Sequence, residues 1–255
     1  MAVLHEDAQV VGDSDDKVYY FNFTTSTFMK REKPLAERAV SRMTGKPIEN
    51  PLFKEPLQNE AAALQLLRSQ AKIPVPGLRS WGEDSEGLLF LETDLVPGVQ
   101  LERAGDECRM PNLHSPNGEK IGKKCDQCAN LAQKNFNQFV EEKLLPELRS
   151  LKSSTTGLNG LVIPPTWILG SVDRPSWEPK TSDKEEYVMT HGDLGPHNVM
   201  MDMETLEVIS IIDWEYSGYF PPEFQKWGAT RVGHFAHFED EDFARELVAT
   251  IDLSL

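Results

Sequence analysis

"THGDLGPHNVMM", residues 190–201, sets a His, an Asp and an Asn in one short polar stretch and follows them with strand-forming residues. A solvent loop has no need for that order, whereas a site that handles a phosphate and a metal ion does. "NVMMD" and "VISIID" favour strands and "METLE" lies between them, so the spacing predicts a hairpin over residues 198–213. Centred between residues 205 and 206, it would pair positions whose numbers sum to 411 and set Asn198 opposite Asp213. One carboxylate and one amide oxygen are hard ligands suited to Mg²⁺, which takes few protein oxygens and leaves the rest to water and phosphates. Asp193 lies on the loop leading into the hairpin, placed to accept a proton from a hydroxyl aimed at a phosphate.

The rest of the chain limits what such a site can serve. With 255 residues, 39% hydrophobic and 26% charged, it can bury a real core in one large domain or two small ones. No apolar run is long enough to span a membrane, and "MAVLHEDAQVV" has neither the basic start nor the apolar stretch of a signal peptide. Three cysteines are an odd number in a long chain, which argues against a secreted disulfide scaffold and for a reducing, cytoplasmic setting. The net charge is −15, and residues 181–255 hold 16 Asp or Glu against 4 Lys or Arg. Such a surface repels nucleic-acid phosphates and attracts a cationic small molecule. Any single charge in it, as in "EDED" at 239–242, reads as ordinary solvated surface.

Upstream, "KVYYFNF" (17–23) and "TFMKRE" (27–32) read as two strands joined by a polar turn. "PLQNEAAALQLLRSQ" (56–70) is helical, with Leu57, Ala61, Leu64 and Leu67 on one face and Pro56 suited to the first turn. "KIPVPG" must be extended, and "GLLFLETDLV" (87–96) is a buried strand that "PG" breaks. Residues 99–124 are polar and turn-rich, so a loop is expected there. A long helix over 128–153 follows, with Phe136, Phe139, Val140, Leu144, Leu148 and Leu151 on one face and Pro146 kinking or dividing it. Residues 154–186 carry turns, and a weak helix ends the chain.

"HGDLGPHN" followed by "IIDWEYSGY" resembles the aminoglycoside phosphotransferase family, the small-molecule branch of the protein-kinase-like fold, whose relatives include choline and homoserine kinases. In detail the motifs resemble those of the many fungal members of that family whose substrates are mostly unassigned. The resemblance implies an α+β fold of two lobes. Residues 1–95 would form a small antiparallel sheet lobe, 96–98 a hinge, and 99–255 a mainly helical lobe carrying the catalytic hairpin. It implies ATP and Mg²⁺ bound between the lobes and transfer of the γ-phosphoryl group to a hydroxyl of a small molecule. Asp193 matches the family's catalytic base, and Asn198 and Asp213 its magnesium ligands. His191 matches the loop's structural histidine, which packs and hydrogen-bonds.

Lys30 in "TFMKRE" best matches the strand lysine that holds nucleotide phosphates, and Glu60 in "QNEAAAL" its helix partner. Glu60 borders the buried face of its helix, where a lone carboxylate is costly and should seek a cation, Lys30 being the obvious one. Gly12 and Ser14 in "VGDSDDKVYYF" resemble parts of the phosphate-covering loop, although Asp13, Asp15 and Asp16 add negative charge there. "LETD" (91–94), with Glu92 and Asp94, sits where the family's hinge offers backbone groups to adenine.

Two rival readings remain at this level. The acidic loop, and the roughly 40 residues after Asp213, which leave little chain for an acceptor pocket, suit a non-catalytic binding protein of the same fold. Intact Asp193, Asn198 and Asp213 weigh against it. Cys125 and Cys128 form a CxxC pair, with Cys108 and His114 upstream, and four such ligands can hold zinc. The spacing is irregular, however, and two cysteines three apart at a helix start more often pack on one face.

Overall fold

The computed structural model describes residues 7–40, 45–47, 55–110, 124–169 and 176–251. The aromatic and β-branched runs near the N-terminus form five strands: β1 (Gln9–Asp13), β2 (Lys17–Asn22), β3 (Thr27–Glu32), β4 (Leu78–Glu83) and β5 (Leu89–Asp94). They make one antiparallel sheet in the order β1-β2-β3-β5-β4. β3 coincides with "TFMKRE". β1 occupies part of the stretch expected as a phosphate loop, and β4 follows a segment read only as extended.

Helix α1 (Glu55–Gln70) crosses this sheet. Its Leu57 and Ala61 pack with Leu89 and Leu91 of β5, while Leu64 and Leu67 belong to a larger core shared with the rest of the chain. Each fully buried leucine contributes about 1.5–3 kcal/mol of transfer free energy, so α1 ties the sheet to the helical part.

Residues after the sheet begin with a short strand, β6 (Val99–Gln100), and a 3₁₀ turn over Leu101–Arg103, where a loop is expected. β6 pairs with Met200 and Met201, so its polar composition is outweighed by a strand edge that needs a partner. Helix α2 (Asp126–Phe139) passes through a π-helical turn, Val140–Leu144, into α3 (Leu145–Ser150). Pro146 has no N–H and its ring crowds the carbonyl four residues earlier, and widening the preceding turn relieves both problems. Phe136, Val140, Leu144 and Leu148 are buried as a stripe on that helix. The expected face therefore forms, and the proline leaves it unbroken.

Four short elements follow in chain order: β7 (Lys152–Ser153), α4 (Thr166–Leu169), β8 (Tyr187–Thr190) and β9 (Val199–Met201). After them come β10 (Val208–Ile211), β11 (Gly218–Phe220), α5 (Arg231–Phe235) and α6 (Glu241–Ile251). Two three-stranded sheets, β10-β9-β6 and β11-β8-β7, flank the quoted stretch. Among the described residues no helix is long and apolar enough to cross a membrane. The architecture is the α+β one expected.

The β9–β10 hairpin forms, but one residue out of the expected register. Val208 faces Met201, then a bulge intervenes, and Ser210 and Ile211 face Met200 and Val199. Asn198 is therefore opposite Ile212, whose N–H donates to its carbonyl at 3.0 Å. The reason is the turn. It is tighter than expected, with Leu206 at a left-handed φ of 55° and Val208 opposite Met201, two residues off, and the extra residue of the bulge on the second strand then recovers one of the two. Asp213 comes just past the end of the hairpin, where its own φ of 66° swings the chain away.

Candidate active site

The loop between β8 and β9 holds its shape through His191. The ring is buried, lies with its centroid 4.4 Å from that of Trp214, and bonds the Ile212 carbonyl at 3.0 Å. Its Nδ1 accepts the Asp193 N–H at 3.2 Å. One nitrogen must donate and the other accept, so both contacts require the neutral ring. Burial pushes the pKa of His191 down to about 4, against the pull of Asp193. Gly192 has φ +83°, and a Cβ there would collide with the Tyr216 carbonyl oxygen. Only glycine fits between the histidine and the aspartate.

Asp193 is held on both carboxylate oxygens. Oδ1 accepts from Thr166 Oγ1 at 3.0 Å and contacts His234 Nε2 at 3.1 Å. Oδ2 contacts His197 Nε2 at 3.2 Å and accepts from Asn198 Nδ2 at 3.1 Å. Burial opposes ionisation, yet the hydrogen bonds from His197 and His234 and the field of His197 hold the carboxyl well below its usual range. The same contact raises the pKa of His197 against the desolvation that would lower it.

The second group is an ionic cluster joining the sheet to the segment after β10. Lys30 Nζ lies 2.6 Å from Glu60 Oε2, 2.5 Å from Asp213 Oδ1 and 3.8 Å from Glu215 Oε2. Lys17 Nζ lies 2.7 Å from Glu215. Burial lowers the pKa of Lys30, but Asp213, Glu60 and Glu215 outweigh it and raise the pKa well above the ordinary lysine value. Lys30 in turn holds Asp213 below its ordinary value despite desolvation. Three carboxylates share two ammonium groups here. Glu60 is the one that burial lifts, to about 7, against the opposing pull of Lys30.

The Lys30–Glu60 pair thus forms as expected. Asp213 is bonded to Lys30 and does not stand opposite Asn198. Ser14 belongs to the β1–β2 turn, where its Oγ donates to Asp16 and accepts the Lys17 N–H at 3.1 Å. Gly12 lies in β1, opposite Tyr19. The charge of Asp13 is offset by Lys33 at 2.5 Å, so the acidic turn is less negative than its sequence. Glu92 and Asp94 are not brought to the cluster. Their side chains bond Ser80 and Arg79, and β5 is paired on both edges, so its backbone groups are consumed by the sheet.

Lys17, Glu215, His197, His234 and Thr166 escaped the sequence reading. "DWE" carried a signal for Glu215, a second carboxylate two residues after Asp213. Nothing local marks His234, 41 residues from Asp193 and brought there by α5.

Residues 9–249 match the family model described as the phosphotransferase enzyme family. The chain belongs to this family. It is an enzyme family, and the chain is accordingly a phosphotransferase of the kinase-like fold. An aminoglycoside 3'-phosphotransferase from Streptomyces fradiae is 27% identical over 218 residues, covering 82% of this chain and 74% of the relative. The solved structure of an aminoglycoside-3'-phosphotransferase of type VIII aligns over 96% of this chain and 94% of its own, at 16% identity and a TM-score of 0.44. The GDP complex of an aminoglycoside 2'-phosphotransferase-IIIa aligns over 96% and 81%, at 14% identity and a TM-score of 0.42.

Proposed function

We propose that the protein transfers the γ-phosphoryl group of ATP, with Mg²⁺, to a hydroxyl of a small cationic molecule. The observation that carries this reading is Lys30, bridging Glu60 and Asp213 at 2.6 and 2.5 Å across the junction of sheet and catalytic segment. An ammonium fixed by two carboxylates is preorganised to meet phosphate oxygens without reorganising during the reaction. Asp193 orients the acceptor hydroxyl and takes its proton. His197, with 29% of its side chain exposed, is the partner that yields when the hydroxyl arrives.

The donor set suits magnesium. Asn198 uses its amide nitrogen on Asp193, which leaves Oδ1 as the ligand atom, and the Asp213 side chain is 32% exposed beyond its bond to Lys30. The ion bound there would neutralise charge on the nucleotide phosphates. Support for a cationic acceptor comes from the 16 acidic against 4 basic residues over 181–255, and from the Streptomyces fradiae relative, named for an aminoglycoside.

The first test is the thermal midpoint with ATP or GTP, with and without Mg²⁺, for the native protein and Asp213→Asn. A magnesium-dependent rise with ATP that vanishes in the variant is expected, since only a ligand of the folded state raises the midpoint. No rise at millimolar nucleotide would overturn the reading. A panel of amino sugars, amino alcohols and neutral alcohols then tests the acceptor, and equal turnover of neutral and cationic members would exclude the charge preference.

A further inference from the structure

Outside the active site the three cysteines converge. The Sγ atoms of Cys108, Cys125 and Cys128 all lie within 4.8 Å of one another. Cys125 is the N-cap of α2, and Cys128 faces inward one turn on, fully buried. Cys108 arrives from the segment that folds back over this helix start. The Cys125 N–H donates to the Gly105 carbonyl at 2.8 Å, and the Arg109 N–H reaches the Cys128 sulfur at 3.4 Å. Gly105 packs so closely that a Cβ there would lie 2.7 Å from that of Ala129. The packing expected of a CxxC pair explains Cys128 alone. It does not explain why two half-buried thiols meet it.

We propose that Cys108, Cys125 and Cys128 form a zinc site that pins residues 104–110 to the start of α2. Three thiolates around Zn²⁺ sit at bonds of about 2.3 Å, which places sulfurs within the span found here after a small contraction. On binding, three S–H protons leave to solvent and three Zn–S bonds form. A water takes the fourth tetrahedral position, with no change of oxidation state. The site carries a net single negative charge, which the N-terminus of α2 and the Arg109 N–H favour. Burial would keep the Cys125 thiol protonated, yet the N–H groups of Cys128 and Gln127 and the neighbouring thiols lower its pKa. His114 lies outside the described residues, and three sulfurs suffice for the site. Gly105, Asp106, Asp126 and Ala129 also line a cavity of about 440 Å³ that reaches Pro196 of the catalytic loop, so the metal would stiffen one wall of it.

Purification under reducing conditions, followed by zinc quantification and a Co²⁺ titration of the metal-stripped protein, tests this. One zinc per chain, a sulfur-to-cobalt charge-transfer band and a zinc-dependent rise in the thermal midpoint are expected. Cys108→Ser, at a half-buried position on the edge of the core, should weaken binding by more than about tenfold, and Cys128→Ser should do the same where it folds. Absence of the charge-transfer band at equimolar Co²⁺ would overturn the site. So would a disulfide between any two of the three in protein isolated without reductant. Neither result bears on the nucleotide test above, so the two proposals fail independently.

Discussion

Two carboxylate clusters of the protein are compensated differently. Around Lys30, three carboxylates meet two ammonium groups contributed by β2 and β3, so the compensation is ionic and spans the sheet and the segment after β10. Around Asp193, one carboxylate is met by two imidazoles, a hydroxyl and an amide, all from the later part of the chain. The first arrangement couples two parts of the molecule, and losing a partner leaves like charges uncompensated. The second only orients a group, and losing a partner leaves the others in place. Stability should therefore depend on the first cluster and turnover on the second.

Asp193→Asn gives the largest effect on activity. Loss of a positioned general base costs about 10²–10⁴-fold in kcat, while the variant should keep its nucleotide-induced rise in thermal midpoint. Steady-state kinetics decide it, and a loss under about tenfold would place the base elsewhere. Lys30→Met acts in reverse order. It breaks a buried ionic cluster, which costs about 3–5 kcal/mol in urea unfolding, and it abolishes the nucleotide-induced shift as well. A stability change as small as that of an exposed ion pair, under about 1 kcal/mol, would show that the cluster is not the tie between the two parts. Gly192→Ala tests the frame that both clusters share. Its left-handed φ and the Tyr216 carbonyl leave no room for a Cβ, so about 1–3 kcal/mol of strain is expected, together with reduced turnover from a displaced Asp193. Full activity with unchanged stability would mean the loop has slack that its contacts do not suggest.

Much of this was legible because the chemistry and the periodicity coincide. "TFMKRE" is aromatic, β-favouring and preceded by a turn, and α1 repeats its apolar positions at helical spacing, so the strand of Lys30 and the helix of Glu60 were readable from pattern, while their roles came from the family resemblance. The hairpin was legible in existence but not in register, because a bulge and a left-handed leucine leave no mark in a sequence without glycine at the turn. β8 and β11 were missed because each is three or four residues long and gains its stability from the neighbour. His234 could not be found at all. A histidine in a five-residue helix carries no local signal, and its meaning arises only from the packing that brings it to Asp193.

The smallest effect separates the clusters by pH. His191 titrates at about 4 in the folded chain against about 6.5 when unfolded. Between those values the unfolded state binds more protons, so stability rises with pH across the window. The slope is at most about 1.4 kcal/mol per pH unit. Glu60 works the other way. Its folded value of about 7 lies above the unfolded 4.5, so its share of stability falls as pH rises through that range. His197, raised by Asp193, contributes stability that is complete below about 6.5 and is lost above its folded value, so it adds no slope within the window. Asp193 and Asp213, both lowered, act below about 3.9. Only a difference between chains isolates the histidine. Because the two slopes oppose, unfolding free energies at several pH values from about 4.5 to 7.5 should show a nearly flat native profile below about 6.5, a fall with pH in His191→Gln and a rise in Glu60→Gln. Parallel profiles for the native protein and His191→Gln would mean that the ring is not held neutral by its two opposed hydrogen bonds, and that the loop around Asp193 owes its shape to the glycine and the tryptophan instead.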